Sequence, residues 1–344
     1  MIRPSVLITG NMGYVGSVLV AHLRRAWPDA RLAGYDAGFF SGSLVDAGML
    51  PETQLDAQHF GDIRALPPDL LRGVDVVVHL AAVSNDPMGQ RFAPATDAIN
   101  RAATARLAIA ARDAGVARMV FASSCSVYGA ASSRPCREGH ATRPLTDYAR
   151  SKLAAEAALS GMERGAMTAV CLRFATACGA SPRLRLDLAL NEFVASAHAT
   201  GEIRVLSDGT PWRPLIDVAD MALAIEWAAL ATGLPSFLTV NVGAQAGNHR
   251  VAAMAAAVAA QFPDIRVSIN AAAPADTRSY RVDFALFRAL APAHQPQISL
   301  DRSITNLRAA LEAISTPPHR AFARLPALER LVASGRISPL LERN

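Results

Sequence analysis

Ser5-Val6-Leu7-Ile8-Thr9-Gly10-Asn11-Met12-Gly13-Tyr14-Val15-Gly16 runs from a short apolar β-run into three glycines spaced by two, and a helical pattern follows to about Ala26. A glycine loop at a strand-to-helix turn lets the backbone touch a diphosphate, because no Cβ intervenes. The helix N-terminus then supplies free N–H donors and positive potential. A turn made tight for packing alone would read the same over these residues. Asp36 tips the balance. It lies 20 residues past Gly16 at the end of the next β-run, Arg31–Tyr35, where a carboxylate can accept hydrogen bonds from a ribose 2′-OH. By itself Asp36 would pass for an ordinary turn aspartate. Ala37 and Gly38 follow, with no Arg to receive a 2′-phosphate, so the sequence favours NAD over NADP.

Further buried β-runs lie at Asp75–His79, Arg118–Ala122 and Thr168–Phe174. Helical patterns occupy 95–114, closed by Gly115, and 146–162. Such alternation predicts an α/β fold of the Rossmann type, a doubly wound parallel sheet covered on both faces. After about residue 175 the rhythm changes. A Pro/Arg-rich loop at Ser181–Asp187 leads into a helix to about Thr200, then a short strand at Ile203–Leu206 and a turn at Asp208–Pro211. Helices are expected over 217–232 and 249–261, with a strand near 237–242. The expected division is a dinucleotide-binding domain over 1–175 and a smaller α/β region over 176–344, mainly for substrate and partly interleaved with the first. The tail beyond 315 has no assigned place, and no internal repeat is evident.

Composition excludes several classes. The 344 residues are 51% hydrophobic and 18% charged, which rules out a mainly disordered chain. The excess of cations is 34 to 29 and scattered, which gives no support for nucleic-acid binding. Cys125, Cys136, Cys171 and Cys178 form no CxxC pair, and the eight histidines form no metal-binding spacing, so no metal is expected. With no signal-peptide pattern ahead of the first strand, a cytoplasmic protein with reduced thiols is expected. Residues 227–247 carry no charge, but Gly233 and Pro235 split them into a helix and a strand, not a membrane span.

Tyr148-Ala149-Arg150-Ser151-Lys152 places a phenol and the sole lysine of the chain four apart on one helical face. A nearby ammonium favours the phenolate, which would bring tyrosine's pKa down from ~10 toward useful base strength. A surface Tyr/Lys pair is the plainer alternative for these two residues alone.

Gly10-x-x-Gly13-x-x-Gly16, Asp36, Asp62-Ile63, His79-Leu80-Ala81-Ala82, Asn100, Ser123-Ser124-Cys125-Ser126-Val127-Tyr128-Gly129 and Tyr148-x-x-x-Lys152 occur in one order. In that order they resemble the extended short-chain dehydrogenase/reductases, in the NAD-dependent sugar-nucleotide epimerase/dehydratase family of the UDP-glucose 4-epimerase kind. The resemblance covers about residues 5–290. It implies NAD as cofactor, bound by Gly10, Met12, Gly13, Tyr14, Val15, Gly16 and Asp36. Asp62 and Ile63 would flank the adenine, and Leu80, Ala81 and Ala82 would line the cofactor. Asn100 would hold the active-site region together from a helix. Ser124, Tyr148 and Lys152 would be catalytic, with Ser123 the alternative register for the serine, and Lys152 would also hold the nicotinamide ribose.

Within that family, 4,6-dehydratases resemble one another in an Asp-Glu pair after the catalytic Ser/Thr. Here those positions are Cys125 and Ser126, which disfavours elimination. Ser123-Ser124-Cys125 also resembles a segment in which cysteine is the acid/base, though the spacing to the next Tyr is one longer. A cysteine at a strand end is otherwise simply buried. On the substrate side the resemblance implies Ser84, Ser124, Cys125, Thr176 and Asn191. Ala175-Thr176 follow Leu172-Arg173-Phe174 where family members carry an Asn. Trp212-Arg213-Pro214-Leu215-Ile216-Asp217-Val218 resembles an Arg-x-x-x-His-Val segment with Asp217 in place of His. Arg213 and Arg278 would meet the diphosphate of a nucleoside-diphosphate sugar. Arg183 and Arg185, after Gly179, are further candidates, equally readable as solvated surface.

The expected activity is NAD-dependent sugar-nucleotide epimerisation at C4, through a transient keto-sugar and hydride return. A nucleotide-sugar ketoreductase or dehydrogenase is the alternative, and a non-catalytic NAD-sensing module is an alternative of another class. The resemblance also implies a homodimer, with the alanine-dense helices at 95–114 and 146–162 paired across a twofold axis.

Overall fold

The computed structural model describes residues 3–45, 48, 50–129, 134–273, 279–314 and 322–343. It opens with β1 (Ser5–Thr9), α1 (Tyr14–Ala26), β2 (Arg31–Asp36), β3 (Ala57–Phe60) and β4 (Val76–His79). Next come α2 (Asp86–Arg91), α3 (Ala93–Asp97), a π-helical stretch (Ala98–Ala103) and α4 (Thr104–Asp113). The run continues through β5 (Arg118–Ser124), α5 (Asp147–Gly161), β6 (Thr168–Phe174), β7 (Thr176–Cys178), α6 (Ala189–Thr200), β8 (Glu202–Val205), β9 (Trp212–Asp217) and α7 (Val218–Leu230). It ends with β10 (Phe237–Val242), β11 (Asn248–Arg250), α8 (Val251–Ala259), β12 (Arg266–Ile269), α9 (Ala285–Leu290), α10 (Leu300–Glu312) and α11 (Arg324–Ala333).

Seven parallel strands form the main sheet in the order β10-β6-β5-β4-β1-β2-β3. Because side chains alternate along a strand, β1 feeds both layers. Val6 and Ile8 join the apolar cluster under α1 and α7, while Leu7 joins the one under α4 and α5. The fold is therefore the doubly wound α/β sheet, and strand order reverses between β1 and β4. In open α/β sheets a ligand crevice lies at the carboxyl ends of the strands at such a switch point. Gly10 follows β1 and Leu80 follows β4, so the glycine loop opens there.

The second half of the chain is built into the first. β10 pairs with β6, and α7 packs against α1. A third apolar cluster, around α6, α8 and α10, sits beneath the small β11-β9-β7 and β12-β8 sheets. Sequence reading missed the short β3, β7, β9, β11 and β12 and the helices α2, α9, α10 and α11. Among the described residues no helix is long and apolar enough to cross a membrane.

Candidate active site

Gly10 has φ +78° and donates its N–H to the Tyr35 carbonyl at 2.9 Å. A Cβ there would stand 2.6 Å from the Ala81 backbone nitrogen, and one at Gly16 would strike the Gly10 carbonyl. The glycines thus serve packing first, seating α1 against the ends of β1 and β4. The same closeness exposes the helix end. α1 starts with no side-chain cap and no acid in its first turn, so no side chain of the described residues caps its N–H donors. Asp36 stands at the far side with one oxygen held by the Met12 N–H at 3.0 Å and the other by the Gly38 N–H at 2.7 Å. Burial raises its pKa, and those two N–H bonds oppose the rise. An uncapped helix end and a fixed carboxylate at this separation along the crevice fit the diphosphate and ribose of a dinucleotide.

At the other end, β5 delivers Ser124 and α5 delivers Tyr148 and Lys152. Thr146 caps α5, its hydroxyl accepting from the Ala149 N–H, which fixes the first turn and with it Tyr148. Ser124 Oγ accepts from the Ser126 N–H at 3.1 Å and lies near enough to the Tyr148 phenol to lower its pKa. Ser123 also lines the cavity, but its hydroxyl is spent on Glu156, whereas Ser124 is the serine that acts on the Tyr148 phenol. Lys152 Nζ donates to the Ala122 carbonyl at 2.7 Å and lies 4.7 Å from the Phe121 ring centre and 5.8 Å from that of Tyr148. Burial brings the Lys152 ammonium down to about 7, against the pull of Glu156. Burial also drives the Tyr148 phenol up to about 12. The expected lowering by Lys152 is not what this geometry gives: Arg185 and Ser124 oppose the rise, while Lys152 Nζ is turned to a carbonyl.

The two ends share one cavity of about 1050 Å³. Single-ligand sites run to ~300–1,000 Å³, so this volume suits two ligands laid end to end. Gly10, Gly13, Tyr14, Val15, Gly16, Asp36, Asp62, Ile63, Leu80, Ala81, Ala82, Ser84, Ser124, Tyr148, Lys152, Thr176 and Arg213 all line it. Five expected contacts do not. Met12 is buried and offers only its backbone N–H, to Asp36. Asn100 spends its amide on the Val83 backbone and the Ser151 hydroxyl, bracing the cavity wall from behind. Cys125 is fully buried, its thiol donating to the Arg173 carbonyl, and burial raises its pKa far up. Arg183 is inside the protein, forked onto Glu52 at 2.9 Å. Asn191 bonds Gly179, Tyr14 and the Arg185 carbonyl, so it shapes the loop without reaching the cavity. Arg278 lies outside the described residues.

Side-chain direction separates the residues that reach the cavity from their neighbours. Ser124, Ser126, Arg185 and Asp187 point in; Cys125, Arg183 and Leu184 point away. Unforeseen lining residues are Asn85, Asp86, Ser126, Asp187, Glu192, Tyr280 and Arg324. Asn85 holds φ +151°, a backbone region costing of order 1–3 kcal/mol for a side-chain-bearing residue. Its side chain accounts for the strain, since it caps α2 through the Met88 N–H at 2.9 Å and donates to Asp187 at 2.7 Å.

A doubly wound sheet that aims a glycine loop at one end of its crevice and a Ser/Tyr/Lys cluster at the other defines an NAD-binding α/β enzyme. More narrowly, the chain belongs to the NAD dependent epimerase/dehydratase family, whose model matches residues 6–243. It is 30% identical over 248 residues to an uncharacterized UDP-glucose epimerase, YtcB, of Bacillus subtilis, covering 69% of this chain and 76% of that protein. A UDP-glucose 4-epimerase of Mycolicibacterium smegmatis is 28% identical over 312 residues, 87% of this chain and 95% of the relative. Among solved structures, MoeE5 in complex with UDP-glucuronic acid and NAD superposes with a TM-score of 0.76 at 27% identity, over 90% of this chain and 99% of that one. The cofactor is NAD.

Replacing Asp36 by Ala should weaken NAD by about 10-fold or more, as a charge-assisted hydrogen bond is lost. NADP should bind as well or better, since repulsion of its 2′-phosphate is gone. Side-by-side titrations read the ratio; an unchanged NAD-to-NADP preference would remove Asp36 from the ribose site.

Proposed function

We propose that this protein is a sugar-nucleotide epimerase acting at C4 of a nucleoside-diphosphate sugar. The observation that carries the reading is the catalytic end of the cavity: Ser124, Tyr148 and Lys152 line it together, Ser124 near enough to Tyr148 to lower its phenol, and the next two positions, Cys125 and Ser126, bring no carboxylate. One proton-transfer group suffices to oxidise and re-reduce a hydroxyl carbon, whereas elimination needs a second. Tyr148 Oη takes the hydroxyl proton and returns it, Ser124 Oγ fixes the hydroxyl, and Lys152 supplies positive charge beneath both. When bound, NAD supplies the hydride acceptor and the return hydride. Arg213 and Thr176, at the substrate end, meet the sugar nucleotide. The names of the relatives support a uridine-diphosphate sugar.

The test is to incubate the protein with UDP-glucose or UDP-glucuronic acid and follow the anomeric and C4 proton signals. Inversion at C4 with no net NADH supports the reading. NADH formed in step with product would establish a dehydrogenase instead, and a product lighter by one water would establish a dehydratase. Binding of NAD with no turnover of any sugar nucleotide would leave an NAD-sensing module.

We further propose a homodimer, but not through the inner alanines. Ala103, Ala108, Ala111, Ala149 and Ala155 are already buried within the chain. What remains outward is Ile109 on α4, 44% exposed, beside the half-buried Ala102, Ala105 and Ala110. Light scattering should give about twice 36.3 kDa. Ile109→Glu should return the mass to that of one chain, and a single-chain mass for the unaltered protein would end the proposal.

A further inference from the structure

The segment 322–343 lies across the dinucleotide end of the cavity, although the family match stops at residue 243. Leu328, Ile337 and Leu341 join the apolar cluster that holds Tyr35 and Ile63. Polar ties reinforce the seat. Arg64, itself forked onto Asp62, donates to the carbonyls of Leu340 and Leu341 at 2.8 and 2.9 Å. Arg343 donates to the Ala37 carbonyl, next to Asp36.

This segment carries Arg324 into the cavity. The side chain is 2% exposed, its guanidinium lies 4.5 Å over the Phe40 ring, and Nη2 donates to the Arg183 carbonyl at 3.0 Å. Nη1 is buried with no hydrogen-bond partner. Neighbouring cations are matched: Arg183 by Glu52, and Arg185 by Asp187, which Asn85 also holds. No ion pair to Arg324 occurs among the described residues. Burial and repulsion from Arg185 and Arg183 bring its pKa down to about 9, against the attraction of Asp187. A buried, unpaired charge is costly, and such costs persist where a ligand completes the set.

We propose that Arg324 is a ligand for the diphosphate of NAD, brought over the open side of the cofactor by the segment 322–343. Position selects this diphosphate over that of the sugar nucleotide. Phe40 stands four residues past Asp36, and Tyr14, a neighbour of Arg324, is the first residue of α1. A guanidinium seated over an aromatic ring can present its remaining N–H groups to phosphate oxygens in the bidentate manner. Helix α1 and Arg324 would then both hold the diphosphate. The inference rests on the NAD site alone and holds whichever sugar nucleotide is turned over.

Calorimetric titration of cofactor-stripped protein with NAD, ADP, adenosine and UDP tests it. Arg324→Gln should weaken NAD and ADP about 10–100-fold, the worth of one charge-assisted hydrogen bond, and leave adenosine and UDP within twofold. Arg324→Lys, with charge but no fork, should fall between. The stripped Arg324→Gln protein should unfold at the same temperature as the parent or higher, because an unmatched buried charge has gone. NAD affinity within twofold of the parent, or an equal loss for adenosine, would overturn the proposal. Loss confined to UDP would overturn it too, by assigning Arg324 to the substrate. Should Arg324→Gln not fold, the NAD-against-adenosine comparison on Arg324→Lys decides alone.

Discussion

Tyr148→Phe is expected to lower turnover by about 10²–10⁴-fold while NAD binds within a few-fold of the parent. The substitution removes one oxygen from a buried ring whose packing stays, and the oxygen's neighbour is Ser124. The ligand-free phenol is too weak an acid to act as a base near neutrality, since burial holds it at about 12. Turnover therefore requires more positive charge beside it than Arg185 already gives, and Lys152, 5.8 Å from the ring, would supply it on turning from the Ala122 carbonyl. Single-turnover and steady-state rates read the effect; activity within twofold of the parent would remove Tyr148 from the proton path. Lys152 gives the complementary result. Its pKa is held at about 7 in the fold, below the 10.5 of a free side chain. The unfolded chain therefore binds more protons between those values, and stability rises with pH across that window. Below about pH 7 the full cost of the buried ammonium is present. Lys152→Met should accordingly abolish turnover and yet raise the melting temperature of the ligand-free protein at neutral pH, the trade expected of a charge kept for chemistry.

Glu156→Ala should cost about 3–5 kcal/mol of folding stability, the largest stability loss we expect from any single replacement here. Arg173 and Glu156 pair at 2.6 Å with side chains only 7% and 5% exposed. Around them, Arg173 also donates to the Tyr128 hydroxyl at 3.0 Å, Tyr128 to Asn241 at 2.7 Å, and Ser123 to Glu156. Truncating Glu156 leaves a guanidinium and a serine hydroxyl buried without their acceptor. The double variant Glu156→Leu/Arg173→Met should recover most of the loss, since replacing both charges removes desolvation as well as attraction. Urea unfolding of the two variants is the measurement. A loss under about 1 kcal/mol for Glu156→Ala would mean that the pair is solvated and not structural. Because Glu156 is one turn past Lys152 on α5, the network also ties the catalytic helix to β5 and β6.

What the sequence made legible was local. The run from Ser5 to Gly16, the acid at the end of the second strand and the Tyr/Lys spacing each carry their own periodicity, and the sheet brought them to one crevice. Side-chain direction past β5 was not legible: a 3-10 turn over Cys125–Tyr128 replaces strand alternation, leaving Ser126 at the cavity and Cys125 behind it. Nor was the π-helical turn around Asn100, because nothing in an alanine-rich stretch marks where the hydrogen bonding slips by one residue. Arg324 was least legible. Its place is set by contacts with Phe40 and Arg183, 284 and 141 positions away, and no local pattern encodes such pairings.

Leu328, Ile337 and Leu341 complete the apolar cluster begun by Leu7 and Tyr35. On a ribosome, roughly 300 residues separate the emergence of those two sets, about 15–60 s at ~5–20 residues per second. Through that interval the nascent nucleotide half carries a core open on one side, with Leu7, Tyr35 and Ile63 lacking their final cover. Translation speed over the last third of the message, and any chaperone that shields the opening meanwhile, therefore bear directly on the yield of active protein.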